Sequence, residues 1–394
     1  MIIYALISKE TLRFIREEKG VSYEYIDRIA GFSKERLNVW EDIHSEKFPT
    51  INQAKSLAKC YRIPFAGFYM NTSDIKLQKT PKLKNLRTIQ DADIDDTALN
   101  LAISDVLDAR DLFIETKSKL KEPVTIFDMD ISTDDVCEFA RSIRLLFDIR
   151  TDEQYRCKSA RKFYLYVRDK IEAKGIFVHC FSSVSTEIVR GFAVFDEIMP
   201  VIGINEEDRY PAKTFSIIHE LVHVFKRNSA VCNEMFSSFS MRQEEIFCNA
   251  VAGEVLVPKD NLIKQIGARV ASELTYDVVE ELAEKFSVSK EVISRRLFDI
   301  GKIDKGQYEE LSIIIKRNFE REKEVSKEVR KLLGKGIPRN IPRETVDRTS
   351  TALCKAFYSG YSNGYFDRQD ISRYLGVKQT HIEKFLLEVS KWKI

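Results

Sequence analysis

Apolar positions in the first 70 residues recur every three or four places and are punctuated by Gly and Ser. Leu12 and Ile15 predict a first helix that ends at Gly20, and Ser22 can cap a second helix with Ile26 and Ile29 on one face. Gly31-Phe32-Ser33 reads as a turn. Ser33 can cap a third helix carrying Leu37 and Trp40, and Pro49-Thr50 precedes a fourth with Ala54, Leu57 and Ala58 inward. Helix, Gly-containing turn, helix is the helix-turn-helix pattern. An acidic run (Asp91, Asp93, Asp95, Asp96) follows, then helical periodicity through Leu99, Ile103, Val106 and Leu107. The acidic run lacks the Gly and closing Glu of a calcium loop and reads as solvated.

Between residues 174 and 205 the period changes. Lys174-Gly175-Ile176-Phe177-Val178, Arg190-Gly191-Phe192-Ala193-Val194 and Pro200-Val201-Ile202-Gly203-Ile204-Asn205 are short, β-branched or aromatic, and bounded by turn residues, so they predict three strands. The next segment is apolar on most sides of a helix, through Phe215, Ile217, Ile218, Leu221, Val222, Val224 and Phe225. Residues 244–258 are helix-compatible, rich in small side chains (Cys248, Ala250, Ala252, Gly253) and stopped by Pro258. From Ala268 onward the pattern is helical. Phe286-Ser287-Val288 is a break, Ser289 can cap the next helix, and Glu291 sits in its first turn, where the helix dipole favours it. Residues 316–335 mix Lys, Arg and Glu as a solvated helix does. Lys331, Lys335, Arg339 and Arg343 make a surface cluster around Pro338 and Pro342, and Ile371 to Val377 with His381 and Phe385 has a small helix-turn-helix look. The expected class is α+β, mostly helical. We divide the chain into a helix-turn-helix bundle at 1–75, a helical linker at 76–150, a strand-bearing domain at 151–300 and a helical region at 301–394.

Composition narrows the picture only a little. The apolar fraction is 44% and the net charge +2, so bulk charge points to neither nucleic acid nor an acidic partner. Seven Cys, an odd number with no Cys-x-x-Cys pair, fit free thiols in a reducing compartment. No apolar run reaches the ~18–20 residues of a membrane span, and no leader pattern opens the chain. The expectation is a cytoplasmic protein without membrane contact.

The chemistry lies in the apolar helix. With only five His in the chain, two of them fall in His219-Glu220-Leu221-Val222-His223. Residues i and i+4 share a helix face, so both imidazoles can point at one metal ion, with Glu220 beside a water there. Zinc with three protein ligands keeps a fourth position open. No third His follows, and the acidic candidates are Glu234, Glu244, Glu245 and Glu254. Periodicity does not choose between Glu244 and Glu245, which it places near the start of their helix.

The run FSIIHELVHVFK followed by EEIFCNAVAGEVLVP resembles the ImmA/IrrE family of metallopeptidases. That family has a His-Glu-Leu-x-His helix, then Glu-x-x-Ala-Asn-x-x-Ala, then an apolar run ending in Pro. Here Cys248 replaces the first Ala of that motif and Val222 replaces a small residue. The resemblance implies a zincin-like metallopeptidase domain with a small three-stranded sheet. It also implies a metal held by His219, His223 and Glu245, and Glu220 as general base. Zinc suits this ligand set, as do other divalent first-row ions. An extended substrate could add to an edge of the sheet. By the same resemblance, the substrate is a regulatory protein, a repressor of the helix-turn-helix type, cut in a stress response or a mobile element.

The N-terminal spacing, with Phe48-Pro49-Thr50-Ile51 and Ile63-Pro64-Phe65-Ala66-Gly67-Phe68-Tyr69, is similar to phage-repressor-type (XRE-like) helix-turn-helix domains. It implies that Lys34, Arg36 and Asn38 of the third helix are the available DNA readers. Tyr23 stands where DNA-binding relatives commonly carry Gln, and Asp27 where they carry a small residue. Glu35, Glu41 and Asp42 put negative charge near the DNA face. DNA contact and protein docking therefore both stay open for this module. The rival to a peptidase is a non-enzymatic regulator that binds DNA or an antitoxin-like partner and uses the metal fold as a docking surface.

Overall fold

A computed structural model describes residues 3–75, 77, 96–227, 238–332 and 340–392. The acidic positions Asp91, Asp93 and Asp95, the candidate Glu234, and Lys335, Pro338 and Arg339 lie outside the described residues. The protein is mostly helical with one small mixed sheet, the α+β class expected.

Four helices open the chain: α1 (Lys9–Glu18), α2 (Tyr23–Ala30), α3 (Lys34–Glu41) and α4 (Ile51–Cys60). Ser22 accepts from Tyr25 N at the start of α2, and Thr50 and Gln53 form a reciprocal capping box at α4. Gly31 closes α2 in the left-handed conformation, with φ 68°. Leu37, Trp40, Ala54, Leu57 and Ala58 are buried as expected, but Ile29 is exposed while Ile26 is buried. Ile26 and Ile29 are one turn apart, and the core takes only Ile26.

Next come α5 (Asp96–Lys119), α6 (Val136–Leu146), α7 (Thr151–Arg156) and α8 (Ala160–Glu172). The strands are β1 (Phe177–Phe181), β2 (Gly191–Val194) and β3 (Val201–Asn205), in the order β1-β3-β2. β1 runs parallel to β3 and β2 antiparallel to it. The three expected strands are present, but the first is shifted. Residues 174–176 are the turn out of α8, with Gly175 at φ +85°, and pairing begins at Phe177. Then follow α9 (Tyr210–Phe225), α10 (Ser238–Leu256), α11 (Lys259–Ile266), α12 (Tyr276–Phe286), α13 (Lys290–Asp299) and α14 (Lys305–Leu332). The chain ends in α15 (Ile341–Arg348), α16 (Thr351–Ser362), α17 (Arg368–Leu375) and α18 (Ile382–Ser390). Ser287 makes the left-handed break between α12 and α13, and Ser289 caps α13 through Val292 N.

Alternation along the strands feeds two cores. Phe177, Phe181, Phe192 and Val201 point to one side, into a core shared with α5, α16, α18 and the N-terminal bundle. Val178, Cys180, Ile202 and Ile204 point to the other, where α6, α8, α9, α10, α12 and α13 contribute. Leu99, Ile103, Val106 and Leu107 are buried, and α5 packs on β1 and β3. Arg62 pairs with Asp105 of α5, and Thr97 accepts from Ser22 N, so α5 also meets the bundle. The C-terminal helices dock through a buried polar seam. Arg168, fully buried on α8, donates to the carbonyls of Val346 and Asp347 and to Thr351 Oγ1. Glu172, one turn on, accepts from Thr351 N and Ala352 N at the start of α16, and from Val178 N.

His179 of β1 accepts from Ser350 N through Nδ1. Burial, with the nearby Arg168 and Arg348 charges, pushes its pKa down to about 3. An unfolded His titrates near ~6.5. Between those values the unfolded chain binds the extra proton, so stability is full above the window and falls as the pH drops through it. The residue as a whole is only half-buried, so solvent screening reduces the effect. Urea unfolding is expected to give a stability lower by about 1 kcal/mol at pH 5 than at pH 7.5. His179→Gln, which keeps an acceptor, should flatten that slope, and equal slopes in the two proteins would refute the assignment.

Candidate metal centre

Helix α9 positions the motif. Pro211 lies in its first turn, where a missing N–H costs nothing. Ile217, Ile218, Leu221, Val222 and Val224 are fully buried, so the helix is fixed from most sides. His219, Glu220 and His223 are buried too, at 0%, 1% and 4% exposure. Three such polar side chains would be costly inside a core without strong partners.

Helix α10 brings the partners. It starts at Ser238, well before the expected start near Glu244, so Glu244 and Glu245 lie within the helix rather than at its positive end. Glu245 faces both imidazoles. Its Oε2 is 3.2 Å from His219 Nε2, its Oε1 is 3.1 Å from His223 Nε2, and the two Nε2 atoms are 3.3 Å apart. Glu244 lies on the other side of the second ring, with Oε1 3.1 Å from His223 Nδ1. Cys248, a turn further on, is buried with Sγ 3.8 Å from the same Nδ1. Glu254 is elsewhere, paired with Arg296 and accepting from Lys259 N. Gly253 faces Arg296 as well, so it does not serve the approach of α10 to α9; buried Cys248 and Ala252 are the small residues in that core.

The charge balance is set by proximity. Burial opposes a proton on His223, but hydrogen bonds with Cys248, Glu244 and Glu245 outweigh it and raise its pKa well above the ordinary value. Burial likewise opposes charge on Glu245, and hydrogen bonds from His219 and His223 overcome it, lowering the pKa below the usual carboxylate range. Burial raises the Cys248 thiol. The cluster thus favours a positive charge between the two Nε2 atoms and the Glu245 carboxylate. Its spacing also fits a metal. Ligands at about 2.0–2.1 Å from a tetrahedral zinc stand about 3.3–3.4 Å from one another, and the three donor groups here are separated by 3.1 to 3.3 Å.

Glu220 points to the sheet instead. A Cβ on Gly191, the first residue of edge strand β2, would stand 3.0 Å from Glu220 Oε1 and 3.2 Å from the Gly203 carbonyl, so a side chain there would crowd Glu220. The isolated Gly in a strand was the one sequence signal for that approach. The cleft beside the site has a volume of about 2540 Å3 and runs from His223 and Glu245 past Phe215 to Ile315 and Phe319 of α14. Small-molecule sites usually occupy roughly 300–1,000 Å3, and this cleft is larger than that.

The residues named as DNA readers are on a different part of the molecule. Lys34, Arg36 and Asn38 are exposed on α3, and Lys34 Nζ lies 5.3 Å from the centre of the Tyr23 ring. Glu41 does not add free negative charge there. It is buried, with Arg16 Nε and Nη2 donating to its two oxygens at 2.7 and 2.9 Å. Tyr23 covers that pair, with Arg16 stacked on its ring.

No helix among the described residues is long and apolar enough to cross a membrane. No curated protein matches the chain. Residues 171–298, about a third of the chain, match the family model Peptidase_M78, the IrrE N-terminal-like domain, which spans all three strands, α9, α10 and nearly all of α13. That match supports placing the segment in the ImmA/IrrE family of peptidases, a metallopeptidase type that implies a metal.

Proposed function

We propose that this protein is a zinc-dependent endopeptidase whose metal is held by His219, His223 and Glu245, with Glu220 as general base. The observation that carries the reading is the convergence of two Nε2 atoms and one carboxylate at 3.1 to 3.3 Å, beside a large cleft that His223 and Glu245 line. A divalent ion bound there would polarise the scissile carbonyl and make water acidic enough to attack near neutral pH. Glu220 takes the proton of the attacking water and returns it to the leaving amine. A bound metal ion would take the place of the positive charge that the cluster favours, with His219 and His223 as nitrogen ligands and Glu245 supplying one negative charge. Edge strand β2, which begins beside Glu220, is where an extended substrate would pair.

The substrate we infer is a helix-turn-helix repressor, cut to relieve repression in a stress response or a mobile element. This rests on likeness to the family rather than on the site. Residues 1–75 act as an XRE-like docking module, with Lys34, Arg36 and Asn38 on its exposed third helix. The neutralised Glu41 removes one objection to DNA as its ligand. A cytoplasmic location accords with the thiols, six of which are free among the described residues.

The test is elemental analysis of wild type and His223→Ala side by side. About one zinc per chain in the wild type, lost in the variant, is expected of an open three-ligand centre. No metal in either after zinc addition would remove the peptidase reading. It would leave the regulator that binds DNA or an antitoxin-like partner, to be sought by footprinting.

A further inference from the structure

Two carboxylates at consecutive positions of α10 meet different nitrogens of one ring. His223 Nε2 lies 3.1 Å from Glu245 Oε1, and His223 Nδ1 lies 3.1 Å from Glu244 Oε1. Neighbours on a helix point about 100° apart. Here that angle lets them straddle the imidazole, where two residues a turn apart would stack on one side of it. A neutral imidazole carries one N–H and one lone pair, and the hydrogen bond made by one nitrogen decides which is which. Both carboxylates can only accept, so without a metal each ring nitrogen can carry a hydrogen; a metal bound between Nε2, His219 and Glu245 would replace the hydrogen there, and Glu244 would hold the one left on Nδ1.

From this, and resting on the metal reading above, we infer that Glu244 is a positioning residue. It holds the Nδ1–H of His223, fixes the tautomer and the ring plane, and sets the affinity of the centre for its metal. The support is one-sided. His219 Nδ1 is buried and has no hydrogen-bond partner among the described residues, so on that side its ring meets only packing, with Phe215 stacked nearby. Of the two rings, only His223 has a carboxylate at its Nδ1. Cys248 Sγ, at 3.8 Å, is a weak and distant acceptor for the same N–H.

A competing arrangement exists in the same place. His223, Glu244 and Cys248 bring donor atoms within 4.8 Å of one another and could themselves be taken for a ligand set. Glu244 would then be a ligand and not a support. Thiolate ligation has a spectroscopic signature that imidazole and carboxylate lack, so the two roles can be told apart.

The experiment uses the full chain and needs no substrate. Zinc affinity is measured by competition with a chromophoric chelator for wild type, Glu244→Ala, Glu244→Gln and Cys248→Ala, with thermal melts of the metal-free proteins as the check on folding. Glu244→Ala is expected to bind zinc roughly 10–100-fold more weakly, the usual cost of losing such a partner. Glu244→Gln, whose amide oxygen still accepts, should recover part of the loss, and Cys248→Ala should bind as wild type does. Cobalt(II)-loaded wild type should show visible bands without thiolate-to-metal charge transfer. Wild-type affinity in Glu244→Ala overturns the inference, as does a charge-transfer band that vanishes in Cys248→Ala. A wild type that takes up no zinc at all is a different failure, because it removes the metal reading together with everything built on it.

Discussion

Glu220→Gln is expected to lower peptide cleavage by roughly 10²–10⁴-fold, the range attributable to a positioned general base, while the protein still binds about one zinc per chain. Glutamine has the size of glutamate and can occupy the same place beside Gly191, but its amide cannot take a proton from water. Glu220 is not among the groups that converge at 3.1 to 3.3 Å, so the metal should not notice the change. The substitution thus separates two roles that His223→Ala would remove together. Cleavage can be followed with a mixed library of fluorogenic peptides and with candidate repressors, using zinc-loaded wild type as reference. If the variant cuts as fast as the wild type, Glu220 is not the base. If it loses zinc as well, Glu220 belongs to the ligand set and the assignment of Glu245 must be reopened.

The parts of this site that could be read from sequence are those that depend on one helix. His219, Glu220 and His223 lie within five residues, and helical geometry alone fixes how their side chains spread. The choice between Glu244 and Glu245 could not be made that way. Both can reach the same region, and the outcome depends on the rotation of α10 against α9, which is set by buried residues such as Cys248, Val251 and Ala252. Their helix also begins at Ser238, so neither carboxylate sits at the start of the helix, where periodicity places them.

The strands were visible because β-branched and aromatic runs break the helical period. β1 was placed three residues early because Ile176 looks like a strand residue yet belongs to the turn that Gly175 makes possible. The region between the bundle and the strands showed its helix clearly but not its neighbours. Ala98, Leu101 and Ala102 are buried along with Leu99, Ile103, Val106 and Leu107, so α5 is covered over a broad arc by the sheet and by other helices. Glu41 is a similar case. Its sequence position suggests surface charge, and only the fold brings Arg16 to it from α1.

Least legible of all was the seam that joins α8 to the C-terminal helices, because its partners are nearly two hundred positions apart. It leads to the largest stability effect we expect. Arg168 is fully buried and charged, and Glu172 is the acidic group whose charge offsets it from one turn away. Glu172 also accepts from Thr351 N at 2.8 Å and from Ala352 N and Val178 N at longer range, so it caps α16 and ties that helix to β1. Glu172→Ala would leave a buried guanidinium without its offsetting charge and several N–H groups without an acceptor. Each buried N–H left without an acceptor typically costs roughly 1–3 kcal/mol, and Val178 N, Thr351 N and Ala352 N all lose theirs. Urea unfolding of the variant should show a loss of that order, and Glu172→Gln, which keeps one acceptor oxygen, a smaller one. The same curves test whether residues 340–392 belong to the peptidase core. β1 neighbours β3, which pairs with the strand beside Glu220, so loosening the seam should weaken the whole unit in a single transition. A loss below about 1 kcal/mol would mean that solvent reaches Arg168 and Glu172 and screens them. Two separate transitions would mean that the C-terminal helices unfold on their own and leave the metal centre standing.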